Sequence, residues 1–412
     1  MRRFVFVFAA LLICLALTAQ RDRATTAKSN SLFSEIDSIS RDLESITGLK
    51  FKHKVPSAVY SKNELRKSLS HRIDKVMTPE DVKAEGLILK MLGLVPANYD
   101  VKQETVDLLT EQAAAFYDYQ KKRLYVMEGD TGESALMALA HELSHALADQ
   151  NFHLDKYIKQ NESDDAATAR MAVMEGQASW LMSAYLHQRA GLGPDVPKTI
   201  LEMMSNSIDE GPSQYPVYAQ SPLYVQQSLT FPYKAGMLFQ DAVFRKLGKD
   251  GFAEVFRRAP ASTQQIMHSE KYLDHVDPQL PHVAELADHK QFRKLGEGTL
   301  GEFDFHVLIE QYGSKERADS LAPHLSGSQF TLWENKREGY PVLSWASQWD
   351  SPEQAQQFFD FYKEVLHKKV SKPQPGNESE HTADGRNEYG YYRVQLKGAV
   401  LESVEGLKHS VD

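Results

Sequence analysis

The stretch ALMALAHELSHALADQNF, residues 135–152, decides how the rest of the chain is read. Its alanines and leucines give it the composition of a buried helix. A helix turns about 100° per residue. With His141 at the origin, His145 then lies at about 40°, Asp149 at about 80° and Glu142 at about 100°. Leu136, Leu139, Leu143 and Leu147 gather on the opposite side and form a core-facing stripe. Ala138 and Ala148 flank the histidines, so both sides of the helix are suited to close packing. Asp130 is placed to cap this helix, with Glu133 three residues on.

Two imidazoles and two carboxylates buried together are costly unless something satisfies them. A divalent cation does so. Histidines four residues apart stand side by side on adjacent turns and can share one ion. Glu142 lies off that axis, where it reaches a water on the ion rather than the ion itself. This is the H-E-x-x-H pattern of zinc hydrolases. The competing reading is a surface helix with two solvated histidines, and the surrounding alanines and leucines count against it.

A catalytic zinc site takes three protein ligands and a water. The third candidate is Glu175, in AVMEGQASW, which sits among Ala169, Ala172, Val173, Ala178 and Trp180. An unpaired carboxylate is disfavoured there. Gly176 beside it costs helix propensity, which makes sense if another backbone must come close. The alternative for Glu175 is a partner for Arg170 or a solvated position.

The chain has 412 residues and a formal net charge of −9, an acidic balance that argues against nucleic acid as the main partner. The opening MRRFVFVFAALLICLALTAQ has two arginines, an apolar run and small residues, the layout of a signal peptide over residues 1–20 cleaved after Ala19. The run is short for a membrane span, and an uncleaved anchor is the other reading. Ile13 before Cys14 argues against lipid attachment. Cys14 is the sole cysteine, so the exported chain lacks thiols and any metal must use His, Asp or Glu. Loss of Arg2 and Arg3 takes the charge from −9 to −11.

The expected fold is α+β and mainly helical. Residues 21–110 read as an α-rich region, with helical spacing at 31–46, a strand and turn around Pro56, and helices near 62–77 and 79–93. Residues 111–300 read as the core. AAFYDY and RLYVM form a hairpin ahead of the histidine helix, and further helices are expected at 164–190, 198–208 and 233–247. APASTQQIMHSEKY reads as a loop. Residues 301–412 read as a small α+β domain: two strands, a helix, the polar loop KPQPGNESEHTADGRNEYG, and a final strand pair.

HELSHALADQNF followed by MEGQASW resembles the gluzincin type of zinc metallopeptidase. More closely, AAFYDYQKKRLYV, FPYKAG and PASTQQIMHSEKY are similar to a group of exported bacterial proteins taken to be metallopeptidases. The resemblance is strong over residues 50–300. It implies a zincin-like core with one catalytic Zn2+ held by His141, His145 and Glu175, and Glu142 as the base that activates the zinc-bound water. It also implies a Tyr or His that meets the oxyanion, for which Tyr233 and His268 are the candidates. Ala148, Gln177 and Ser269 depart from the usual Gln, acidic residue and Pro, without removing a ligand.

Asp149 or Asp165 is placed to orient a ligand imidazole, although both also suit helix-end charges. AAFYDY is a candidate edge strand for an extended peptide, or else a packed cover for the helix. The function expected is an exported or periplasmic zinc metallopeptidase acting on a peptide or protein, with no stable membrane span after processing. The alternative is a catalytically inactive, zinc-bearing binding or scaffold protein of the cell envelope, with Trp333, Tyr340, Trp345 and Trp349 at its C-terminal end. Substrate preference and oligomeric state are not written in the sequence.

Overall fold

The fold is that of a computed structural model, which describes residues 12–15, 32–129, 132–159, 163–210, 215–286 and 289–409. It is α+β and mainly helical, with two sheets. Most of the expected signal peptide, its cleavage point and the Asp130 cap lie outside the described residues.

The first half runs β1 (Leu12–Leu15), α1 (Ile36–Thr47), β2 (Ser57–Tyr60), α2 (Lys62–Val76), α3 (Pro79–Leu92), α4 (Val101–Gln112), β3 (Ala113–Asp118), β4 (Arg123–Met127) and α5 (Gly132–Phe152). Then come α6 (Leu154–Lys159), α7 (Asp164–Arg189), α8 (Lys198–Glu210), α9 (Pro216–Gln220), α10 (Leu223–Leu247), α11 (Gly251–Arg257), α12 (Thr263–Met267) and α13 (Ser269–Leu273). Ser61 and Thr78 cap α2 and α3 with reciprocal capping boxes, and Pro79 opens α3, which explains why both helices start where the sequence places them.

These strands form one sheet of order β1-β3-β4-β2. It lies between two cores. Ala115, Tyr117, Leu124 and Val126 join the leucines of α5 on one face. Phe116, Tyr125 and Met127 join Leu65, Leu69, Leu108 and Leu109 on the other. Both faces are therefore apolar, and all six residues of β3 are buried. No helix among the described residues is long and apolar enough to cross a membrane.

The second half runs β5 (Phe292–Thr299), α14 (Glu302–Tyr312), α15 (Lys315–Leu321), β6 (Leu325–Asn335), β7 (Pro341–Trp349), α16 (Pro352–Lys368), β8 (Gln374–Glu378), β9 (Thr382–Asn387), β10 (Gly390–Lys397) and β11 (Val400–Leu407). The strands form a seven-stranded sheet, β5-β6-β7-β11-β10-β9-β8, with neighbours antiparallel. Trp345, Trp349, Phe358, Phe359 and Tyr362 share a core with α2, α3 and α4, so this sheet is packed onto the N-terminal helices. The aromatic tryptophans 345 and 349 are core residues, at 2% and 1% exposure.

Three expectations need correction. KPQPGNESEHTADGRNEYG contains strands β8 and β9 rather than a loop; β8 is wholly exposed, so no apolar alternation marks it. APASTQQIMHSEKY holds the short helices α12 and α13, the first capped by Ser262 accepting from the Gln265 amide. The helix expected from residue 233 starts at Leu223 and runs through Pro232, because buried Leu229, Phe231 and Tyr233 hold that turn against its neighbours. Strand β5 opens the seven-stranded sheet at Phe292.

Candidate metal centre

Helix α5 presents its leucine stripe to the sheet and its histidine side to α7. The two histidine rings lie edge to face, 4.8 Å apart. The His141 and His145 Nε2 atoms are 3.1 Å apart. Glu175 Oε2, from the middle of α7, lies 3.1 Å from the first and 3.4 Å from the second. A tetrahedral ion with bonds of about 2.0 Å separates its ligand atoms by about 3.3 Å. The three donors therefore stand at the spacing that one small cation imposes, and they form the one metal-capable group found among the described residues.

The electrostatics fit as well. Burial pushes the His141 imidazole below its ordinary pKa, which favours the neutral form that binds metals. Burial acts to raise the Glu175 carboxyl, but His145 and the hydrogen bonds from both imidazoles outweigh it and hold the carboxyl at about 2. Glu175 and His141, at 2% and 1% exposure, are buried polar groups that a divalent cation would satisfy. Glu142 is fully buried on the same turn as His141.

Gly176 explains how α7 reaches the centre. A Cβ there would lie 2.0 Å from the Gly236 carbonyl carbon, and one on Gly236 would lie 2.0 Å from the Ala172 carbonyl oxygen. Helices α7 and α10 thus cross backbone to backbone at two glycines. One turn before Gly236, the Tyr233 ring stacks near His141, with centroids 5.9 Å apart and planes at 26°. The crossing accordingly brings Tyr233 and Glu175 to the same place.

His268 goes elsewhere. Its Nε2 pairs with Glu302 Oε1 of α14 at 2.8 Å, and no contact joins it to the three donors among the described residues. The Glu302 hydrogen bond raises its pKa against the opposing effect of burial. Asp149 does not orient a ligand: it accepts from the Tyr117 hydroxyl, the Lys122 ammonium and the Leu154 amide. It pins the hairpin to α5. Asp165 likewise accepts from the Thr263 amide, while its own amide donates to Thr299 Oγ1. Both carboxylates thus join neighbouring elements, Asp149 the hairpin to α5 and Asp165 the starts of α7 and α12. The sequence reading missed Glu302, whose signal is only its place after Gly301, the residue that opens α14 and whose amide donates to Asp304.

AAFYDY does not end the sheet in this structure. β1 pairs antiparallel with its outer side, Leu12 opposite Tyr117, Ile13 opposite Phe116 and Cys14 opposite Ala115.

Among known proteins, residues 290–411 match the family model described as "Domain of unknown function (DUF8575)". That span is the seven-stranded sheet with its helices. No curated protein and no solved structure matches the chain.

Proposed function

We propose that the chain is an exported zinc-dependent peptidase with a zincin-like core. The observation that carries this reading is the convergence of His141, His145 and Glu175 within 3.4 Å, with Glu142 on the same helical turn. A bound zinc would supply Lewis acidity and a water of lowered pKa. Glu142 takes a proton from the attacking water and returns it to the leaving amine. Tyr233, whose ring lies 5.9 Å from that of His141, is the favoured candidate to donate to the oxyanion, whereas His268 pairs with Glu302. The substrate class is a peptide or protein.

The test is a metal count and a peptide-library assay on the same sample. Wild type should hold one zinc and cleave; His145→Ala should lose the metal; Glu142→Gln should keep it and lose cleavage. A metal-free wild type, or a fully active Glu142→Gln protein, would overturn the proposal.

One observation favours the second reading, a zinc-bearing binder without catalysis: the centre is closed, with His141, Glu142, His145 and Glu175 all at or below 2% exposure. Under that reading wild type binds zinc and no library peptide is cut in any processed form.

A further inference from the structure

A cleft of about 1020 Å3 lies apart from the metal centre, and its lining includes none of His141, Glu142, His145, Glu175 or Tyr233. Its floor is one face of β5 and β6, where Lys294, Glu297 and Thr299 stand opposite Trp333, Thr331 and Gln329. Directly opposed residues of an antiparallel pair share a face, and this one is turned away from the Phe330 and Trp345 core. One wall is the segment 280–285, tied to β6 by the Gln279 amide donating to the Ser326 carbonyl. The ends of α2 and α6 and the starts of α3 and α7 make the others.

β5 ends its sheet, with β6 as its one strand neighbour. Among the described residues, no backbone hydrogen bond joins 294–299 to anything but β6. The outer amides and carbonyls of this run are therefore a row that another strand can pair with. Lys294 and the register shift after it guard the first half against chance pairing. The register is continuous over 296–299, and Glu297, Gly298 and Thr299 all line the cleft.

The lining also selects by charge. It sets four carboxylates, Asp81, Asp164, Glu285 and Glu297, against two ammonium groups, Lys159 and Lys294, and Lys294 is already paired with Glu297. That balance repels a polyanion and draws a cation-bearing ligand. In the floor, the buried Trp333 indole N–H has no acceptor in the protein, so the ligand should bring carbonyl-type acceptors too. A peptide backbone with Lys or Arg side chains supplies both. We propose that this cleft docks an extended, basic segment of another protein, added to β5 as a further strand. The site does not depend on whether the metal centre is catalytic.

The test is fluorescence anisotropy at low salt with full-length protein and a labelled synthetic peptide of alternating Lys and Thr. Every form carries Glu142→Gln, so the probe is not cut and the result is separate from the peptidase reading. The basic probe should bind saturably and a Glu-Thr counterpart should not. Glu285 and Glu297 are exposed, and Glu285→Lys/Glu297→Lys should weaken binding at least about tenfold. Asp250→Lys/Glu380→Lys makes the same change of net charge at exposed positions outside the lining, and should leave affinity within about twofold. Two further probes are N-methylated at alternate amides, one on the odd and one on the even residues. Only one set of amides can face β5, so one probe should lose binding and the other keep it. No saturable binding of the basic probe, equal losses in the two double variants, or methylated probes that behave alike would each overturn the proposal.

Discussion

Replacing Gly176 by alanine tests whether the helix crossing builds the metal centre. The added methyl would meet the Gly236 carbonyl carbon at 2.0 Å, whereas ordinary contact begins near 3.4 Å, so the two helices must part by about 1.4 Å. No flexible side chain can yield, because both partners are backbone. Overpacking of this kind costs about 1–3 kcal/mol, and backbone contact belongs at the upper end. Alanine returns about 1 kcal/mol of helix propensity, leaving a net loss of about 2 kcal/mol. In thermal unfolding that corresponds to a fall of about 4–8 °C, somewhat less for a chain of this size. Gly86 supplies the matched control: it too is helical, but its added Cβ meets only Val101 Cγ2 at 3.6 Å, an ordinary contact. Gly86→Ala should keep the propensity gain and melt no lower than wild type. The centre is hit harder than the fold. Ligand distances tolerate only about 0.2 Å, so moving Glu175 by even part of the separation should lower zinc affinity sharply, read by competition with a chelating dye. A Gly176→Ala protein that melts like Gly86→Ala and binds zinc as wild type does would refute the crossing as the positioning device.

Three further outcomes are expected. Glu142→Gln should leave zinc stoichiometry unchanged while hydrolysis falls by about 10²–10⁴, the range a general base contributes, measured by quenched-peptide turnover. Asp149→Asn should destabilise by about 1–3 kcal/mol in urea unfolding, since the Tyr117 hydroxyl and the Lys122 ammonium lose their charged acceptor; no change would mean that the hairpin is held to α5 without it. His268 gains protons on folding because Glu302 raises its pKa. Its stabilising contribution is therefore complete below the ordinary histidine pKa of about 6.5 and fades as pH rises through the raised folded value. Melting curves of wild type and Glu302→Gln from pH 5 to 9 should converge towards the alkaline end, and parallel curves would contradict the assignment.

What could be read in advance was local. The spacing of His141 and His145 and the four leucines opposite them both follow from one period, so a single sequence displays them. Glu175 was visible because a carboxylate among alanines and a tryptophan is anomalous, and Gly176 because a mid-helix glycine asks for a reason. The rest was non-local. Asp149 belongs to Tyr117 and Lys122 across 32 and 27 residues, and His268 to Glu302 across 34. Such pairs leave no period behind. The α10 start was hidden by Pro232, whose usual meaning as a helix stop was outweighed by packing on both sides. β8 was hidden for the opposite reason: an exposed edge strand buries nothing and needs no apolar alternation.

The DUF8575 span is tied to the candidate centre by a chain of backbone-directed hydrogen bonds. Thr299, at the end of β5, accepts from the Asp165 amide in the first turn of α7. Asp165 accepts from the Thr263 amide at the start of α12, and Thr263 accepts from the Phe303 amide at the start of α14. Three helix starts, whose first amides find no acceptor within their own helix, are thus satisfied by side chains at the end of β5 and at one another's first turns. Gly298 and Gly301 permit this, since a Cβ on either would strike the Asp164 or Asp165 carboxylate at 1.8 Å. Glu175 lies ten residues beyond Asp165 on the same helix, about 15 Å along its axis, and a helix transmits the setting of its first turn to its middle with little loss. At the other end of the span, Lys369 donates to the Met91 carbonyl and pairs with buried Glu405, fastening α16 and the sheet to the end of α3. The sheet is therefore joined to the first turn of α7, the helix that carries Glu175.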